Sequence, residues 1–174
     1  MAKSDSFYVR AQVLTNNLDF AQTAIDLGAY VDALGKSVLR IHNIAVQYGS
    51  PTSSYAGSGA TSASTAFQLT TQSQAAMVSA VDKSIIATGR LAVSTSEQSH
   101  ASAPQGVADS VTALSEALDV APQHWRNGYL VGVEQIYLGV DQTQNIIDEV
   151  NIVMECTVET LTQNAAMALA LSQQ

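Results

Sequence analysis

Charge is what this chain has least of. Charged side chains make up 13 % of its 174 residues, about half the share of an ordinary soluble domain. Serine, threonine, glutamine, asparagine and alanine stand in their place. Such a surface carries little ionic repulsion. It suits a protein that packs against copies of itself, and equally a merely polar one. The seven basic side chains are scattered along the chain. Nucleic-acid affinity needs several phosphates neutralised together, so no direct nucleic-acid binding is expected. The net charge of −8 is uneven: residues 1–95 hold six basic and five acidic side chains, residues 96–174 one basic (Arg126) and ten acidic.

Cysteine is nearly missing as well, and a lone Cys156 excludes an intramolecular disulfide. Long apolar runs are missing too. The longest near either end covers 165–171, far short of the roughly 20 residues that span a bilayer. The opening MAKSDSFYVR has no apolar signal core, and no Asn-x-Ser/Thr acceptor occurs. The chain is therefore expected to be made and folded in a cytoplasm. Without an internal repeat, its length suits one domain over 1–174, large enough to bury a core unaided.

What the chain does have is alternation. Val150, Ile152, Met154, Cys156 and Val158 alternate with Asn151, Glu155, Thr157 and Glu159. A period of two puts the apolar set on one face of a strand at 150–160. Phe7, Val9, Ala11 and Val13 do the same within 6–15. In 37–48 the apolar phase switches from Leu39/Ile41 to Ile44/Val46/Tyr48, which predicts a bulge or a strand buried on both faces. Further strands are expected at 129–138, behind the Asn127-Gly128 turn pair, and at 85–93, 21–26, 66–71 and 112–120. The last also reads as a helix behind Asp109, and Ala-rich 72–81 carries the same ambiguity. The best helix lies at 162–171, rich in Ala, Met and Leu. Being apolar all round, it must dock. A neighbouring subunit or a shell interior is the preferred partner, with its own sandwich next. Two long loops are expected, at 49–65 and 97–106. Eight strands with such loops predict an all-β antiparallel sandwich, an eight-stranded jelly roll with a short C-terminal helix.

Side chains capable of chemistry are dispersed. His42, His100 and His124 lie far apart, and none has a second ligand at metal spacing. His42 reads as a structural histidine and the other two as solvated. Cys156 falls on an apolar strand face, where a buried thiol behaves as a small hydrophobe. Gly57-Ser58-Gly59 is followed by no Lys-Ser/Thr pair for a phosphate, and lacks nucleophile-elbow spacing. The stretch 141–149, DQTQNIIDE, has no central glycine for a calcium loop. Asp148 and Glu149, adjacent on a strand, would face opposite ways. Trp125 could stack on a sugar or plug one end of the core beside Tyr129, and the plug is preferred. No catalytic, cofactor-binding or metal residue is therefore assigned, and no enzyme activity is expected.

Four stretches are familiar together: DLGAYVDALGKSVLRIHNIAVQYG at 26–49, AFQLTTQSQAAMVSAVDKSIIATG at 66–89, NGYLVGVEQIYLGVDQ at 127–142 and VNIVMECTVETLTQNAAMALALSQQ at 150–174. They resemble single jelly-roll capsid proteins of tailless icosahedral marine viruses, over more than half the chain. The resemblance implies a virion structural protein, made in the host cytoplasm, that forms capsomers and an icosahedral shell of many copies. It further implies that other capsid proteins and an internal membrane can be partners. The alternative is a carbohydrate-binding sandwich or other virion-attached binding protein, centred on Trp125 and the Ser/Gly loop. A helical scaffold is a third reading, against which the alternation at 150–160 argues.

Overall fold

The computed structural model describes residues 4–32, 36–52, 61–98 and 109–174. Their elements run, in chain order, β1 (Phe7–Leu14), β2 (Ala21–Asp26), β3 (Ser37–Tyr48), β4 (Thr61–Thr70), β5 (Ile85–Gln98), β6 (Asp109–Val120), a 3-10 turn (Pro122–His124), β7 (Tyr129–Val131), β8 (Gln135–Gln142), β9 (Glu149–Thr160) and α1 (Gln163–Ser172). The strands form two antiparallel sheets, β1-β9-β3-β7 and β2-β8-β4-β5-β6.

The pairing is that of one long hairpin rolled up. β1 lies on β9, β2 on β8, β3 on β7 and β4 on β5. The roll closes because β9 also pairs with β3, and β8 with β4. That interleaving of early and late strands is a jelly roll. β6 is added at the outside of the second sheet, paired with β5.

Among the described residues nine strands replace the expected eight, because 129–138 divides. Its continuous apolar run hides a crossing between sheets at Gly132-Val133-Glu134, with β7 in one sheet and β8 in the other. The loop expected at 49–65 is shorter, since β4 begins at Thr61, and Ala63 and Thr65 are buried. Likewise β5 extends through Gln98, into the loop expected at 97–106. Residues 53–60 and 99–106 of those two loops lie outside the described residues. The ambiguous 112–120 is strand, part of β6. The stretch 72–81 is neither helix nor strand, because the buried Gln68 side chain claims its backbone. Gln68 Nε2 donates to Ala76 O at 3.1 Å, and Val78 N donates to Gln68 Oε1 at 2.8 Å.

The core lies between the sheets. Val150, Ile152, Met154 and Cys156 of β9 meet Phe67 and Leu69 of β4, Ile86 and Leu91 of β5, and Ile136 and Leu138 of β8. Gly89 is required by close approach: a Cβ there would sit 2.7 Å from Ala117 O and 2.6 Å from Phe67 Cε1. Cys156 is fully buried. Burial, and secondarily the Glu155 carboxylate, pushes its thiol up to about 12.

Helix α1 starts at Thr162, whose hydroxyl accepts from Ala165 N, as an N-cap does. One side of it docks on its own sandwich, the partner ranked second from the sequence. Ala166 and Ala170 are buried, and Gln173, just beyond the helix, is buried as well. Gln173 Oε1 accepts from Gly132 N at 2.8 Å, Gln173 Nε2 donates to Leu130 O at 2.7 Å, and Thr71 Oγ1 donates to Gln173 O at 2.8 Å. The other side stays open, with Met167 44 % and Leu171 66 % exposed.

Two expectations follow. Gly89→Ala should cost about 1–3 kcal/mol by overpacking, read as a lower urea midpoint; an unchanged midpoint refutes the close approach. Cys156 should react with iodoacetamide far more slowly in native than in urea-unfolded protein. Its folded-state value lies above the unfolded one, so its contribution to stability is full below the ordinary thiol range. That contribution is lost as pH rises toward about 12. Equal labelling rates would contradict the burial.

Candidate functional site

The outer face of the β1-β9-β3-β7 sheet carries a groove of about 710 Å³. Its floor comes from β3 and β9. The register between these strands shifts between Ile41 and Asn43, where His42 is the extra residue. The bulge predicted from the phase switch is therefore real. It keeps Ile41 and Ile44 in the core while His42 and Asn43 both line the groove. Opposite them, Glu155 is in register with Asn43, and Thr157 Oγ1 lies 2.9 Å from His42 Nε2.

The wall is the connection from β6 to β7, containing the 3-10 turn, Trp125, Arg126, Asn127 and Gly128. Trp125 N donates to Pro122 O at 3.0 Å. The indole lies 5.5 Å from the Tyr129 ring, tilted by 38°. Gly128 has a φ of +68°, and a Cβ there would be 2.3 Å from Ile41 O, so only glycine lets this loop lie so close to β3.

One arginine joins wall to floor. Arg40 Nε and Nη2 donate to Glu159 Oε1 and Oε2 at 2.7 and 2.8 Å, and Arg40 Nη1 donates to Asn127 O. The two side chains are 17 % and 9 % exposed. A two-pronged pair this sheltered is stronger and more directional than a surface contact. The Glu159 hydrogen bond raises the Arg40 pKa above its already high ordinary value, against the opposing effect of burial.

His42 is bonded on the sheet as a structural histidine, while His124 ends the 3-10 turn, exposed. His100 and Gly57-Ser58-Gly59 lie outside the described residues. Among the described residues no group of three or more His, Cys, Asp or Glu side chains is arranged to hold a metal ion. Nor is any helix there long and apolar enough to cross a membrane. In 141–149 the buried Gln142 organises the chain: its Nε2 donates to Asn17 O at 2.7 Å and Asn145 Oδ1 at 3.0 Å. Glu149 accepts from Gln12 Nε2 and Asn151 Nδ2. Trp125 does sit beside Tyr129, but it plugs no core. It is 38 % exposed and faces the groove, because the loop crosses the outside of the sheet.

Sequence reasoning passed over Arg40, Asn43, Gln123, Arg126, Glu155 and Glu159. The available signal was an arginine and two glutamates on the outward phase of two long apolar strands, where threonine or serine would serve as well. Compared with protein-family models, curated proteins and solved structures, the chain matches none of them.

Breaking the ion pair should loosen the wall. Glu159→Gln leaves the Arg40 charge sheltered and unmatched, a loss of about 2–4 kcal/mol in urea unfolding. It should also shift the emission of Trp125, the one tryptophan, to longer wavelength. Wild-type stability and emission in this variant would show that the pair holds nothing in place.

Proposed function

We propose that this chain is a structural subunit of a viral capsid, self-assembling into a shell and resident in the virion, without catalytic activity. The observation that supports it most is the distribution of exposed apolar side chains. Leu14 and Leu18 stand out at the β1–β2 connection, Leu114 on the outer strand β6, Val81 between β4 and β5, and Met167 and Leu171 on α1. They occupy separate places on the surface of a jelly roll poor in charge. Single exposed apolar side chains occur on monomers too, so what favours a shell is their combination with a surface poor in charge and a jelly-roll architecture. A subunit in a closed shell touches several neighbours at once and needs several such contacts. The jelly-roll architecture is itself one that builds shells as well as lectin-like domains, and the resemblance of the four sequence stretches agrees with the first.

The outward side of α1 is the part of this reading that can be tested without unfolding the subunit. Removing 163–174 would also remove Ala166, Ala170 and Gln173 from the subunit's own body. Met167→Ser with Leu171→Ser leaves that buried side untouched. Purified wild-type protein should form capsomers or shells visible by electron microscopy. The double variant should lose them, or need at least about tenfold more protein to form them, since losing apolar contacts costs roughly 1–3 kcal/mol per side chain. Its thermal midpoint as a dispersed subunit should stay unchanged. Wild-type protein that sediments as a monomer at all concentrations would overturn the proposal.

A further inference from the structure

The exposed apolar side chains invoked for shell contacts all lie outside the groove on the outer sheet face. We propose that this groove is a binding site for a neutral saccharide, with Trp125 as the stacking wall. This does not depend on the shell reading and holds for a free sandwich as well as for a subunit.

Three features point to that ligand class. The first is the aromatic surface. Trp125 has one flank near Tyr129 and is more than a third exposed, on the wall of a concave site. A flat ring next to polar groups matches a sugar, whose ring carries C–H bonds on one face and hydroxyls around its edge. The second is the chemistry facing it. Asn43, Gln123, Arg126 and Glu155 present planar amide, guanidinium and carboxylate groups, giving both donors and acceptors for vicinal hydroxyls. The third is charge balance. Arg40 and Arg126 are matched by Glu155 and Glu159 among the lining residues. A phosphate, a sialic acid or a cation meets no excess of opposite charge there, whereas an uncharged polyol needs none.

The site is also held ready. Arg40 fastens the wall through Asn127 O and the floor through Glu159, and Gly128 lies against Ile41 O. Little ordering is left to be done on binding, which is what lets a weak, polar ligand bind measurably. The groove's size falls within the roughly 300–1,000 Å³ of small-ligand sites. Its open side leaves room for an oligosaccharide to continue into solvent.

Because Trp125 is the only tryptophan, its emission reports on this groove alone. The experiment titrates purified protein with methyl glucoside, methyl galactoside, methyl mannoside, N-acetylglucosamine and their short oligomers. N-acetylneuraminic acid and inorganic phosphate serve as charged comparisons, and an array of neutral and sialylated glycans is probed in parallel. At least one neutral sugar should change the emission saturably and more strongly than either anion. On the array, Trp125→Ala should weaken binding of the same sugar by on the order of tenfold or more, as loss of an aromatic anchor does. Trp125→Phe should restore much of it, and Glu155→Gln should change which sugar is preferred. Several results would overturn the proposal: no response to any neutral sugar, preference for the anions, or array binding indifferent to Trp125→Ala. So would emission that follows protein concentration and ignores sugar, which would make the groove a contact between copies.

Discussion

Strand β9 is the element on which the rest of the molecule depends. It is paired along both edges, with eight residues of β1 on one side and eleven of β3 on the other. Without it the first sheet has no centre, because β1 and β3 have no register with each other. Its inward residues Val150, Ile152, Met154 and Cys156 share the first sheet's side of the core with Leu39, Ile41, Ile44 and Tyr48 of β3, and its outward Glu155 and Glu159 help floor the groove. Core and candidate site are two faces of one strand, alternating residue by residue. A one-residue slip of β9 would exchange Cys156 for Glu155 and lose both at once.

The second organising theme is the use of amides where other proteins place ions. Gln68 ties the β4–β5 connection, Gln142 ties the β1–β2 and β8–β9 connections, and Gln173 ties α1 to β7 and Gly132. All three are buried. Each amide offers donors and an acceptor, so one side chain can satisfy backbone groups on two segments. A buried group so satisfied costs little and fixes geometry, where a buried charge would need a partner of its own. The low charge of the composition is thus as much a feature of how the loops are held as of the surface.

How far the fold was legible follows from which signals are local. Alternation from Val150 to Val158 announced β9, the phase switch after Ile41 announced the bulge at His42, and the Ala, Met and Leu of 162–171 announced α1. Each depends on neighbours within a few residues. The strand at Thr61 was hidden because Thr, Ser and Ala carry too little apolar contrast to show a period. The break at Gly132 was hidden because both sides of it are buried in one core, so hydrophobicity does not record a change of sheet. At 72–81 a helical preference lost to the Gln68 side chain, a tertiary contact that no window contains. The candidate site was least visible. Arg40 and Glu159 are 119 positions apart and meet only because β9 seats beside β3. Trp125 was placed in the core because composition cannot say on which side of a sheet a loop passes.

The amide ties carry one more consequence. An amide has no proton to gain or lose over the range in which proteins live, and no charge for dissolved ions to screen. Fastened chiefly by such groups and by apolar packing, the sandwich has little in its interior that responds to acidity or salinity. The Arg40–Glu159 pair is built of the opposite material, and it holds the groove wall. Salt screens the exposed Arg90–Asp119 pair between β5 and β6 most and the sheltered Arg40–Glu159 pair less, so the medium acts on one sheet edge and on the groove while the amide ties beneath them stay as they were.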